Sequence, residues 1–193
     1  MRRALIRAGV RLKYSEGFNP HPYLSVALPL PVGQESVCEL IDVGIADDLL
    51  PDGLVELISA VLPEGLAVIE AYEPESRFSD ITWVEISGEL HYDAGIEPGF
   101  ADSLAERFAA DSIIVAKRTK RGVSDIDIAP FVRDVAFDFK DVLTMSAKVS
   151  AQNPTIGPDN LMSALGGAHQ VPAPDFAFFA RKEVYDKDMK IFR

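Results

Sequence analysis

The chain strings together short apolar runs separated by turn residues, and the spacing inside each run selects an element. Ala4, Leu5 and Ala8 fall on one side of an opening helix that Gly9 closes. Val10 to Tyr14 then alternates apolar and basic residues, the pattern of a half-buried strand with Arg11 and Lys13 outward. Strands are predicted over Tyr23 to Leu30 and Val37 to Ile45, with Val32 to Glu35 as a turn between them. The second of these strands puts Val37, Ile41, Val43 and Ile45 on one face. Asp47 and Asp48 precede a helix running from about Pro51 to Leu62, since acids and proline suit a first turn. Leu54, Val55, Ile58 and Leu62 form its apolar stripe. Pro63, Glu64 and Gly65 stop it, and Leu66 to Tyr72 reads as a strand.

Glu73 to Asp80 is polar and irregular, the best linker in the chain. It separates residues 1–75 from residues 80–193. Beyond it the order starts again. Ile81 to Tyr92 is a strand, and Pro98 to Ala110 a helix with Phe100, Leu104 and Phe108 in a stripe. Ser112 to Ala116 and Ser124 to Ile128 flank a basic turn. Val135 to Phe139 and Leu143 to Val149 form a hairpin by alternation. Pro158 to Leu165 is a short helix, and Phe176 to Tyr185 a last strand. Phe176, Phe178 and Phe179 read as core. The second half is therefore β-α-β-β-α-β with an extra strand or turn, and the first half α-β-β-α-β. The fold class expected is α+β: two ferredoxin-like split β-α-β units, the first lacking its opening strand.

Composition narrows the picture. At 193 residues and 48% hydrophobic, the chain is large enough to bury a core. Its net charge of −11 argues against indiscriminate binding to nucleic acid or anionic membrane. The bases are concentrated, however. Arg2, Arg3, Arg7, Arg11 and Lys13 stand without an acid among them, as do Lys117, Arg118, Lys120 and Arg121. The single cysteine, Cys38, forms no internal disulfide, reads as packed in a strand, and cannot by itself hold an iron–sulfur cluster. Cys38, His91 and His169 show no metal-ligand spacing, and no metal site is expected. No secretory signal or membrane span is visible, so a cytoplasmic protein is the default expectation.

The densest chemistry lies in Tyr14 to Ser25. Gly17 permits positive φ, and Pro20 and Pro22 hold Asn19 and His21 extended. The resulting loop carries Glu16, Asn19 and His21 together with Tyr14, Phe18 and Tyr23. A histidine and a carboxylate are the parts of general acid–base catalysis, so His21, Glu16 and Asn19 are the catalytic candidates. The same residue types also build turns without doing chemistry. Arg11, Lys13, Lys117, Arg118, Lys120 and Arg121 are nucleic-acid-binding candidates, because lysine and arginine neutralise phosphates and the nearby aromatics stack bases. A solvated hairpin is the plainer explanation of the second basic tract.

Several stretches resemble an uncharacterised bacterial domain that is fused to, or encoded beside, a radical SAM protein. They are Arg3 to Gly9, Tyr14 to Pro22, Leu28 to Gly33, Leu62 to Leu66, Lys117 to Gly122, and Asp125 to Asp127. The run Gly17-Phe18-Asn19-Pro20-His21-Pro22 is the most specific. The resemblance implies a strand before the first helix, yet Met1 falls inside that helix. Either the start is misassigned or an edge strand has been lost, and an exposed first-sheet edge would then invite a partner or a second copy. The resemblance also implies a radical SAM partner that carries the iron–sulfur cluster and S-adenosylmethionine, with no cofactor in this chain. The expected function is a non-catalytic recognition module of that enzyme, binding RNA or a translation component. The alternatives are a metal-independent RNA-processing enzyme using His21 and Glu16, and a pure protein-interaction scaffold.

Overall fold

A computed structural model describes residues 1–46, 52–119, 122–166 and 172–193. The fold is mixed α+β and mostly sheet. In chain order the elements are α1 (Arg2–Arg7), β1 (Leu24–Val26), β2 (Gln34–Ser36), β3 (Ile41–Val43), α2 (Leu54–Ser59), β4 (Trp83–His91), α3 (Phe100–Phe108), β5 (Ile114–Thr119), β6 (Gly122–Asp127), β7 (Val132–Phe139), β8 (Leu143–Ser150), α4 (Pro158–Leu165) and β9 (Phe176–Tyr185). Two compact units divide the chain. One holds Met1–Pro29, Glu39–Ser76 and Arg193; the other holds Leu30–Cys38 and Arg77–Phe192.

In the first unit α1 buries Ala4 and Leu5. It ends in a Schellman motif: Gly9 N–H donates to Ile6 O and Val10 N–H to Leu5 O, each at 3.1 Å, with Gly9 at φ 79°. The Arg7 guanidinium donates to Val61 O at 2.8 Å. Leu5, Val10, Leu12, Leu54 and Ile58 form the buried cluster, with Leu24, Val43, Ile45 and Leu62 against it. β1 and β3 pair antiparallel, Ser25 opposite Asp42.

Three expectations for this unit need correction. The strand over Val10 to Tyr14 shrinks to single bridges, Leu12 with Ile45 and Tyr14 with Pro22. Pro20 and Pro22 have no N–H to donate, so a ladder along the loop cannot propagate. Leu66 to Tyr72 forms no strand. Its apolar residues do not all reach the core, since Ile69 is 76% exposed, and Val68 N–H donates to Ser59 Oγ at 3.1 Å instead of to a strand. The strand over Val37 to Ile45 is only β3. Asp47, Asp48 and Pro51 lie outside the described residues, and α2 begins after Gly53 at φ 68°.

The second unit is a five-stranded sheet in the order β2-β9-β4-β8-β7. Every neighbouring pair is antiparallel except β2 with β9, which is parallel. β2 begins inside the stretch expected to be a turn, Val32 to Glu35, and runs one residue past it. Val37 follows it, donating its N–H to Arg181 O at 3.1 Å, and Cys38 is half-buried just beyond the strand. The buried side chains of the sheet include Ile86, Leu90, Leu143, Met145, Val149 and Phe179. Leu104 of α3 and Leu161 of α4 are fully buried as well. Phe108 of α3 meets Phe137 of β7 with ring centroids 5.8 Å apart. Of the phenylalanines expected in the core, Phe179 is buried but Phe176 is 60% exposed and lies 5.9 Å from the His91 ring.

The other face of this sheet is polar. Cross-strand neighbours share a face, and they form a row of Glu183, Glu85, Lys148 and Arg133 and a second row of Glu89, Thr144 and Asp138. The Tyr185 hydroxyl donates to Glu85 at 2.5 Å, and this bond, with burial, pushes its pKa up to about 12. Arg133 stacks 3.6 Å above the Trp83 ring.

β5 and β6 form a separate hairpin whose base Asp127 closes. Its Oδ1 accepts from Ile113 N–H at 2.8 Å and from Ala129 N–H at 3.0 Å. These bonds, Ile113's first, hold the carboxyl below its ordinary 3.8. Folding thus favours the ionised form. Its stabilisation is complete above the unfolded value and drains away as pH falls through the lower folded one. Stability measured by urea titration from about pH 5 to about pH 2 should therefore fall less steeply in Asp127→Asn than in the wild type. Parallel slopes would count against this role.

Candidate functional site

The loop between Tyr14 and Pro22 is closed by backbone. Ser15 N–H donates to His21 O at 2.8 Å, and His21 N–H donates to Ser15 Oγ at 3.0 Å. Gly17, at φ 114°, makes the turn that a side chain would strain. Glu16, Asn19 and His21 are all exposed, and Phe18 projects fully into solvent. The three polar side chains are thus offered outward on a shaped loop, not gathered inside a cavity.

Below the loop, three backbone segments close on one another. Lys13 N–H donates to Gly44 O at 2.7 Å, Gly44 N–H to Tyr23 O at 2.8 Å, and Tyr23 N–H to Lys13 O at 3.0 Å. A Cβ on Gly44 would lie 2.9 Å from Tyr23 Cβ, 3.3 Å from Lys13 Cβ and 3.6 Å from Tyr23 Cδ2. Lys13 and Tyr23 therefore both crowd the space that a side chain on Gly44 would take. Arg11 and Lys13 are exposed, and so is Tyr23, at 56%.

The second basic tract is described only in part. The Lys117 ammonium donates to Thr155 O at 2.6 Å. Arg118 sits on β5 opposite Val123, while Lys120 and Arg121 lie outside the described residues. His169 also lies outside them. Among the described residues, no group of three or more histidine, cysteine, aspartate and glutamate side chains is placed to hold a metal ion. Nor is any helix long and apolar enough to cross a membrane.

An open cleft of about 200 Å³ in the second unit, which no sequence pattern announced, is lined by His91, Tyr92, Asp93, Ile96, Phe139 and Asp141 among others. Burial, then Asp175, pushes the Tyr92 pKa up to about 12, which keeps the phenol protonated. Its hydroxyl is buried with no hydrogen-bond partner among the described residues, so solvent does not reach it from the cleft.

Sheet, helices and an exposed aromatic loop define a mixed α+β protein. Residues 1–158 match the family described as "Uncharacterized protein conserved in bacteria (DUF2344)", and the chain belongs to that family. No curated protein and no solved structure matches it.

Proposed function

We propose that the chain is a non-catalytic recognition module that works beside a radical SAM enzyme and binds RNA or a component of translation. The observation behind this reading is the closed loop, which presents Phe18 to solvent above the exposed bases Arg11 and Lys13. Aromatic faces joined to cations suit a polyanion with bases to stack. Catalysis gains less from the same loop, because Glu16, Asn19 and His21 all point into water. The partner enzyme supplies the iron–sulfur cluster and S-adenosylmethionine. Within the second unit, the polar sheet face is an unfavourable seat for RNA. Glu85, Glu89, Glu183 and Asp138 lie on it and repel phosphate.

We infer also that the second unit is a ferredoxin-like split β-α-β unit. Supporting this are four antiparallel strands in the order β9-β4-β8-β7, with α3 following β4 and α4 joining β8 to β9. The β5–β6 hairpin is then an insertion and β2 an added edge. For the first unit the same reading has only α1, α2 and the β1–β3 pair behind it.

Titration of labelled RNA at two salt concentrations tests the function. About four to six phosphate contacts make affinity fall steeply with salt. The double variant Lys120→Ala/Arg121→Ala should bind more weakly across sequences and show a flatter salt slope. Equal binding by wild type and variant removes the second tract from the interface. RNA turnover that is lost in His21→Ala would replace recognition with catalysis.

A further inference from the structure

We infer that Tyr23, set against Gly44 beside Lys13, is a stacking platform for one unpaired base of a single-stranded RNA, with Lys13 taking the adjoining phosphate. The inference rests on the RNA reading above and narrows it to one form of RNA and one residue. Three features of the first unit carry it. The Tyr23 backbone is fixed by both of its hydrogen bonds, to Lys13 O and from Gly44 N–H. The missing side chain at Gly44 lets the tyrosine lie close to β3, with Cδ2 within 3.6 Å of where a Cβ would sit. The residue nonetheless keeps 56% of its surface in solvent. A ring on a fixed backbone that is crowded at its edge and still largely in solvent loses little freedom when a base stacks on it.

The Lys13 stem leaves the backbone beside the same glycine, its Cβ 3.3 Å from that position, so its ammonium is within reach of a phosphate next to a base on Tyr23. Asp42 lies opposite Ser25, two residues before Gly44, and repels phosphate from that end of the strand. Tyr14, 41% exposed, and Phe18 extend the aromatic surface for following bases. A duplex keeps its bases stacked on one another and shows only their edges, so it has no free face to offer this ring.

Fluorescence anisotropy with a labelled, unstructured oligonucleotide of about ten nucleotides, and with a duplex of the same sequence, tests the inference. Wild type should bind the single strand more tightly than the duplex. Tyr23→Phe should keep that affinity, since the ring remains, while Tyr23→Ala should lose roughly tenfold or more. Gly44→Ala, shown by circular dichroism to be folded, should also bind weakly because its methyl displaces Tyr23. Duplex binding as tight as the single strand overturns the inference and leaves RNA recognition standing. So does unchanged single-strand affinity in a folded Tyr23→Ala chain. Binding of neither RNA form overturns RNA recognition itself, and this site with it.

Discussion

Leu104→Ala should lower the stability of the second unit by about 3 kcal/mol. Leu104 lies on α3 between Phe100 and Phe108 and has 0% of its surface exposed. Truncation removes buried carbon from a closed environment, and the cost is the lost transfer free energy plus the cavity left behind. Such a loss is a large share of the roughly 5–15 kcal/mol that holds a domain folded. Urea denaturation followed by circular dichroism measures it, and Leu104→Met, which keeps the volume, should cost less than about 1.5 kcal/mol. An alanine variant as stable as the methionine variant would mean that α3 does not seal this core.

Gly88→Ala should cost about 1–3 kcal/mol, although it adds a single methyl group. Gly88 lies in the middle of β4, paired with Phe179 of β9 on one side and Met145 of β8 on the other. An added Cβ would lie 2.5 Å from Phe179 Cε1 and 2.8 Å from Cδ1. The Phe179 ring is buried and cannot swing into solvent. The aromatic covers the glycine, and the glycine makes room for the aromatic. Phe179→Leu should cost less in the Gly88→Ala background than in the wild type, a coupling that a double-mutant cycle reads directly. Independent, additive losses would show that the two positions do not share the space.

The second half of the fold was the more legible in the sequence. β4, β8 and the later part of β7 alternate because one face packs and the other meets polar neighbours, while β9 showed as an apolar run. The stripe of Phe100, Leu104 and Phe108 marked α3 for the same reason. What stayed hidden was held by backbone alone. Gln34, Glu35 and Ser36 carry no apolar signal, yet they form β2, because an edge strand needs N–H and C=O groups and not a hydrophobic face. The reverse error occurred at Leu66 to Tyr72, where apolar residues suggested a strand that pairs with none of the described ones.

At the candidate site the sequence marked the loop correctly as a place of turn chemistry. Gly17 and the two prolines set its shape, and these effects are local. It could not show that Glu16, Asn19 and His21 would all face outward. It also passed over Gly44, whose importance comes from Lys13 and Tyr23, both more than twenty residues earlier in the chain. A glycine needed for what crowds it leaves no local signature.

The excursion of residues 30–38 bears on how the gene can be dissected. A piece cut to begin at Arg77 carries β4 through β9 but leaves Gln34–Ser36 behind, so β9 loses its parallel neighbour. The freed N–H and C=O groups of β9 then form an open template on which identical fragments can add to one another. A piece ending at Ser76 fails differently, because it keeps a nine-residue segment whose partner strand is gone. Neither half of the gene encodes a finished half of the protein, and the smallest self-consistent piece of the second unit begins upstream of β2.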